Sequence, residues 1–356
     1  MSEGMLANTK GPRSDEPGAP RSWVRRLVSE LALQDWVVLI YLCVLFGSVA
    51  VLATPSDAKT GMLQKIGALI AALVAVLVAI RGSILTRPIV ASLAYRIVVY
   101  GVVQVSYFLL RGLLPLVSDA AYDRQLLAID LTVFRFEPAM VMDRFVNLYT
   151  TEWFAFFYYG YFFVLGLHVL PFLFVARRMK LFAEFALGLF TVYCVAHVLY
   201  MVVPGWGPVR HLASDFQNAL VPGFWMERVL EAVNGAGAQK DIFPSLHTGG
   251  PTFIFLFSLR HRDKYPFRYT WPITGFFVAN IVIATMFLRW HYLIDVVAGI
   301  ALAAGACLGA GWLSPREVAR RERLGLQPVW MPLWPQRAPQ GEGAADTSPS
   351  LHSAQQ

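Results

Sequence analysis

Eight long apolar stretches, separated by short polar segments, restrict what this sequence can fold into. A helix that crosses a bilayer needs roughly 17–25 predominantly apolar residues. Such stretches, of which the sixth is short, run over residues 36–53, 64–80, 91–115, 152–176, 181–203, 246–260, 271–288 and 291–313. Only 15% of the residues are charged, against about 25% in soluble domains. The sequence therefore predicts an all-α, polytopic transmembrane bundle of about eight spans.

Both ends of the chain are polar, and its few cysteines are scattered. Residues 1–22 and 335–356 have the composition of disordered tails. The amino-terminal tail has no apolar core, so we expect no cleaved signal peptide. Cys43, Cys194 and Cys307 fall inside apolar stretches and are too few and too dispersed for a disulfide framework or a zinc site. The sequence predicts no bound metal.

Lysine and arginine are distributed unequally between the two sides of the predicted bundle. With the amino terminus inside, 16 of them lie in inner segments and eight lie in the longer outer segments. This positive-inside bias predicts that both termini are cytoplasmic in a plasma (inner) membrane. Residues 204–247 and His291 then lie on the extracytoplasmic face. The formal charge of +7 reflects this anchoring, and the sequence predicts no nucleic-acid partner.

Two histidines stand where apolar stretches meet polar ones. His247 lies in the segment Phe-Pro-Ser-Leu-His, and His291 lies in Trp-His-Tyr-Leu-Ile-Asp. The stretch between them can cross the bilayer twice, which returns both rings to one face. His291 and Asp295 are four residues apart, so they share a helix face, and a carboxylate bonded to one ring nitrogen leaves the other free to attack phosphorus. His247 follows Ser245 at the start of a helix, where backbone N–H groups bind anions, and could protonate a leaving alkoxide. Each motif alone could be structural; together they favour phosphoryl chemistry on a lipid.

Candidate phosphate-binding side chains lie near these motifs. Arg210, in a loop rich in Gly and Pro, is suited to clamp a phosphate, although an interfacial arginine could equally reach lipid headgroups. Lys240 and Ser245 are further candidates for substrate binding, and His197 and His211, near the outer loop, could line the site. The polar segment 119–150 is not a span; it is either a surface connector of amphipathic helices or a lid over a lipid entrance.

These residues resemble the type 2 phosphatidic acid phosphatase superfamily, and within it the inositol phosphorylceramide synthase (inositolphosphotransferase) branch. The similarity covers roughly residues 90–313 and is carried by Phe243-Pro-Ser-Leu-His247 and His291-x-x-x-Asp295. The segments from Pro204 to Arg210 and from Tyr122 to Phe145 add support. The resemblance implies a six-helix core, His291 as a nucleophile that forms a phosphohistidine, Asp295 as its partner, His247 as the general acid, and no cofactor.

Two departures from the superfamily pattern concern the cations that usually hold phosphate. A Lys followed seven residues later by Arg-Pro is absent, and Ala284-Thr285 replaces an expected Ser-Arg pair. Both departures match the inositolphosphotransferase branch better than plain phosphatases.

The expected organisation follows from the spans and the resemblance. Two added spans occupy residues 23–88, a phosphatase-like membrane domain occupies 89–315, and a partly disordered cytoplasmic tail occupies 316–356. We expect a lipid phosphotransferase or phosphatase that acts on a membrane lipid. A plain lipid phosphate phosphatase and a non-catalytic transporter or scaffold are the alternatives.

Overall fold

Helices account for the secondary structure throughout residues 23–334, which are the residues that the computed structural model describes. In chain order they are α1 (Trp23–Glu30), α2 (Leu33–Leu52), α3 (Asp57–Arg81), α4 (Pro88–Val117), α5 (Asp123–Ile129), α6 (Pro138–Met142), α7 (Leu148–Phe174), α8 (Met179–Val202), α9 (Pro208–His211), α10 (Phe224–Ala236), α11 (Leu246–Arg260), α12 (Phe267–Phe287) and α13 (Leu293–Leu324). Seven of these helices are long and apolar enough to cross a membrane: α2, α3, α4, α7, α8, α12 and α13. The prediction of an all-α, polytopic membrane bundle is confirmed. The predicted tails 1–22 and 335–356 lie outside the described residues.

The eighth predicted span is the shorter helix α11, which has 15 residues. At its amino end, the N–H of Ser245 donates to the carbonyl of Asp295 at 3.0 Å. At its carboxyl end, Arg260 Nε lies 3.2 Å from Glu184 in the first turns of α8. Helix α11 therefore runs antiparallel to α8 and reaches the end of the bundle at which α8 begins.

A glycine contact brings α11 and α13 close together beside the two histidine motifs. A Cβ atom on Gly299 of α13 would lie 2.6 Å from the carbonyl oxygen of Ser245, which is nearer than packed atoms approach. Gly249 faces the same contact, because a Cβ there would lie 3.3 Å from the Gly299 oxygen. The absence of side chains at both positions fixes the spacing between the start of α11 and the start of α13.

The end of the bundle opposite the histidine motifs is held by buried arginines. Arg81 pairs with Asp35 at 3.0 Å and donates to the carbonyl of Pro328 at 3.0 Å. Arg321 contacts Glu30 at 3.3 Å, and Trp330 is 1% exposed. The first and last described residues therefore lie at the same end of the bundle. Helix α13 continues to Leu324, beyond the predicted end of its span at residue 313, and residues 325–334 fold back onto the bundle.

Candidate active site

One cavity of about 320 Å³ brings the two histidine motifs together. It opens between the ends of the long helices, and its walls come from α4, α7, α8, α9, α10, α11 and the loops that precede α9, α11 and α13. His247 and His291 both line it, although 43 residues separate them in the chain.

His291 lies in the turn between α12 and α13 and is 4% exposed. Its backbone N–H donates to the carbonyl of Thr285 at 3.2 Å, which fixes the turn. Burial lowers the pKa of His291 to about 4, and the nearby carboxylate of Asp241 opposes this shift only in part. The ring is therefore neutral at pH 7, which a nucleophilic imidazole requires.

Asp295 stands beside His291 and also caps α13. His291 Nδ1 lies 3.5 Å from Asp295 Oδ2, longer than a normal hydrogen bond, and Nδ1 has no hydrogen-bond partner among the described residues. The same Oδ2 accepts the backbone N–H of Tyr292 at 2.9 Å. The predicted pair is thus brought together, with its carboxylate anchored by the backbone at the start of α13. A small rotation of the imidazole would close the remaining gap.

His247 lies in the first turn of α11, between two tyrosine rings. It stacks on Tyr158, with ring centroids 4.2 Å apart and an interplanar angle of 13°, and its centroid lies 4.3 Å from that of Tyr161. Nδ1 lies 3.5 Å from Tyr158 Oη. Nε2 is buried and has no partner among the described residues. The aromatic rings hold the imidazole in place and leave one nitrogen available to a ligand.

The three predicted substrate-binding residues differ in their position relative to the cavity. Arg210 lines the cavity, with its guanidinium 4.3 Å from the ring centroid of Trp206. Lys240 instead donates to two backbone carbonyls of residues 119–120, each at 3.2 Å, and does not line the cavity. The Oγ of Ser245 accepts the backbone N–H of Thr248 at 3.2 Å as the cap of α11. Within residues 23–334, Arg210 is the one lysine or arginine on the cavity wall.

The segment 119–150 supports the loops of the site through buried carboxylates. Asp123 accepts the backbone N–H groups of Trp206 at 3.0 Å and Gly207 at 2.8 Å. Asp130 accepts the N–H groups of the first two residues of α13 at 2.6 and 2.9 Å. These are the loop that leads into α9, on which Arg210 lies, and the start of α13, which follows His291. The contacts agree with a connector that braces the site.

Removal of one of these carboxylates should loosen the start of α13. We expect Asp130→Ala to destabilise the protein by about 2 kcal/mol, because two partly buried N–H groups lose their carboxyl acceptor. Thermal unfolding in detergent measures this change. As a control, Glu231→Ala alters an acid with a side chain that is 62% exposed and should change stability by less than about 0.5 kcal/mol. Equal stability of Asp130→Ala and the wild type would contradict the bracing role.

Sequence reasoning missed Asp241 and the tyrosines on the cavity wall. Asp241 lines the cavity and accepts a hydrogen bond from Tyr107 Oη at 3.1 Å. Its one sequence signal is its position two residues before the Phe-Pro-Ser-Leu-His motif. The tyrosines had no signal, because each lies in a stretch with a composition that only indicates a span. His197 does line the cavity, whereas His211 does not.

Comparison with known proteins gives one match. The family profile described as the PAP2 superfamily matches residues 124–309. The matched segment begins in α5, ends in α13 and includes both histidine motifs, but it excludes α1 to α4. No curated protein and no solved structure matches the chain significantly.

Proposed function

The chain belongs to the PAP2 superfamily, and from this membership we propose that it transfers a phosphorylated headgroup between membrane lipids through a phosphohistidine at His291. The protein is a multi-pass membrane protein of a superfamily of phosphatases and phosphotransferases. The proposed transfer through a phosphohistidine rests on the observation that His247 and His291 line one cavity.

The proposed first half-reaction forms a bond between a nitrogen of His291 and phosphorus. Because Asp295 lies beside Nδ1, Nδ1 carries the ring proton and Nε2 attacks. The P–O bond to the leaving alcohol breaks, and His247 donates a proton to that oxygen. A phosphate bound beside His247 stabilises the imidazolium that serves as this acid.

The second half-reaction reverses these roles. An acceptor alcohol, or water, gives its proton to His247 and attacks phosphorus, and the P–N bond to His291 breaks. Transfer and hydrolysis differ only in this acceptor. Arg210 is the cation placed to contact the phosphate oxygens from the cavity wall.

Two sequence features support an inositolphosphotransferase type of reaction and its location. The cations expected of plain phosphatases are absent, with Ala284-Thr285 at one of their positions. The excess of lysine and arginine in the inner segments supports an extracytoplasmic site in a plasma membrane with both termini cytoplasmic.

The test is product analysis with purified full-length protein. Lipids with labelled phosphodiester or phosphomonoester headgroups are incubated with and without inositol or a diacylglycerol, and the products are resolved by mass. We expect a new phosphodiester lipid that forms only when the acceptor alcohol is present. Acceptor-independent release of inorganic phosphate would indicate a plain phosphatase. No product above that of a His291→Ala control would indicate a scaffold.

A further inference from the structure

The cavity that holds His247 and His291 is also lined by a second group of polar side chains. His197 lies on α8, five residues before the carboxyl end of that helix. Along the helix axis it is about 7.5 Å from that end. The ring centroid of Tyr107 lies 5.6 Å from that of His197, and its hydroxyl donates to Asp241 Oδ2 at 3.1 Å. All three residues line the cavity, and we call them the inner subsite.

The protonation state of His197 follows from the hydrogen bonds of two hydroxyl groups, those of Ser106 and Tyr41, on the side of the ring that carries Nδ1. Ser106 Oγ donates its one proton to the carbonyl of Val103 at 2.8 Å. All three contacts in this chain are hydrogen bonds at once only when Tyr41 Oη, 2.7 Å from that Oγ, donates to it. The proton of Tyr41 is then used, so its oxygen accepts from His197 Nδ1 at 2.8 Å. His197 is thus protonated on Nδ1, and Nε2 carries a lone pair.

That lone pair is buried and unused. His197 is 1% exposed, and Nε2 has no hydrogen-bond partner among the described residues. A proton on Nε2 would create a buried cation without a partner in those residues, which is costly. Nε2 therefore presents an acceptor to whatever occupies the cavity.

Asp241 is a second acceptor in the inner subsite, because its Oδ2 accepts the hydroxyl proton of Tyr107. A carboxylate accepts and does not donate, and within residues 23–334 no lysine or arginine forms an ion pair with Asp241. An acceptor nitrogen and a carboxylate repel a phosphate. They attract a group that donates hydrogen bonds.

We propose that the inner subsite binds the hydrogen-bond-donating groups of the substrate alcohol, its hydroxyl or ammonium substituents, while phosphorus lies at His247 and His291. The assignment rests on the proposed function for the position of phosphorus. Tyr41, Ser106 and Tyr107 lie outside the family match at 124–309, so α2 and α4 add contacts to a subsite in which His197 and Asp241 lie inside that match.

Direct binding tests this assignment without turnover. Full-length His291→Ala protein in detergent is titrated calorimetrically with glycerophosphoinositol, glycerophosphoethanolamine and glycerophosphocholine. The choline probe is the control, because it carries the same glycerol hydroxyls as the other two probes but its trimethylammonium headgroup has no donor. We expect one or both of the other probes to bind about tenfold more tightly. The tighter of the two identifies hydroxyl or ammonium as the donor. Equal affinity for all three probes, tighter binding of the choline probe, or no binding at all would overturn the assignment.

Two variants in the same background connect the preference to His197. His197→Phe should bring the affinity for the donor probes down to that for the choline probe. Tyr41→Phe removes the acceptor for Nδ1–H, so it should reduce the preference severalfold even if His197→Phe fails to fold. Tyr100→Phe is the matched control, because this variant loses a buried, unpartnered hydroxyl outside the cavity and should keep the preference. An unchanged preference in Tyr41→Phe would overturn the assignment. A binding preference without lipid turnover by the wild type would instead reject the proposed function alone.

Discussion

His291→Ala should abolish headgroup transfer, with a loss of about 10⁴-fold or more in single-turnover rate. The variant removes the atom that we propose accepts phosphorus, and the buried, neutral imidazole at this position has no equivalent after substitution. The rate is measured with purified protein in detergent and the lipid that gives product in the acceptor assay.

The matched control is His211→Ala, because His211 is an exposed histidine on α9 that does not line the cavity. This variant should retain wild-type turnover. Equal amounts of all three proteins in the membrane fraction, with the same elution on gel filtration, show that the loss is chemical. Rapid quenching of the wild type with labelled lipid should trap an acid-labile, base-stable phosphoryl group on the protein. The same label on His291→Ala protein would assign the nucleophile to another residue.

The bundle itself was predictable because the signal for a span is local. Each stretch of about 20 apolar residues indicates a helix without reference to the rest of the chain. Even the short sixth stretch was located, since residues 246–260 form α11 with the predicted bounds. The prediction that His247 and His291 meet relied on the same local signal, because two crossings return the chain to one face.

The contacts that organise the site were not predictable, because they join residues far apart in the chain. Asp130 lies 163 residues from the backbone N–H that it accepts at the start of α13. Tyr41 lies 156 residues from His197. In the sequence these residues were charges on an amphipathic segment or aromatic members of a span. Lys240 shows the converse: its charge indicated a phosphate contact, but the fold directs its ammonium to backbone carbonyls.

His247→Ala should reduce turnover of the lipid substrate by about 10²–10⁴-fold, the usual contribution of a general acid. The loss should depend on the leaving group. A lipid alkoxide needs a proton as the P–O bond breaks, whereas a nitrophenolate leaves without one. With a nitrophenyl phosphodiester that carries the same headgroup, we therefore expect a much smaller loss.

Comparison of the two histidine variants on both substrates separates their roles. His291→Ala removes the proposed attacking atom. Its turnover of the alkyl substrate and of the nitrophenyl substrate should therefore fall by the same factor. His247→Ala should reduce mainly the turnover of the alkyl substrate. Nε2, which has no partner among the described residues, has the one proposed role of protonating the leaving oxygen. If His247→Ala also reduced the turnover of both substrates by the same factor, this residue would serve to bind phosphate and not to protonate the leaving oxygen. The dependence on the leaving group therefore tests the acid assignment independently of the identity of the lipid.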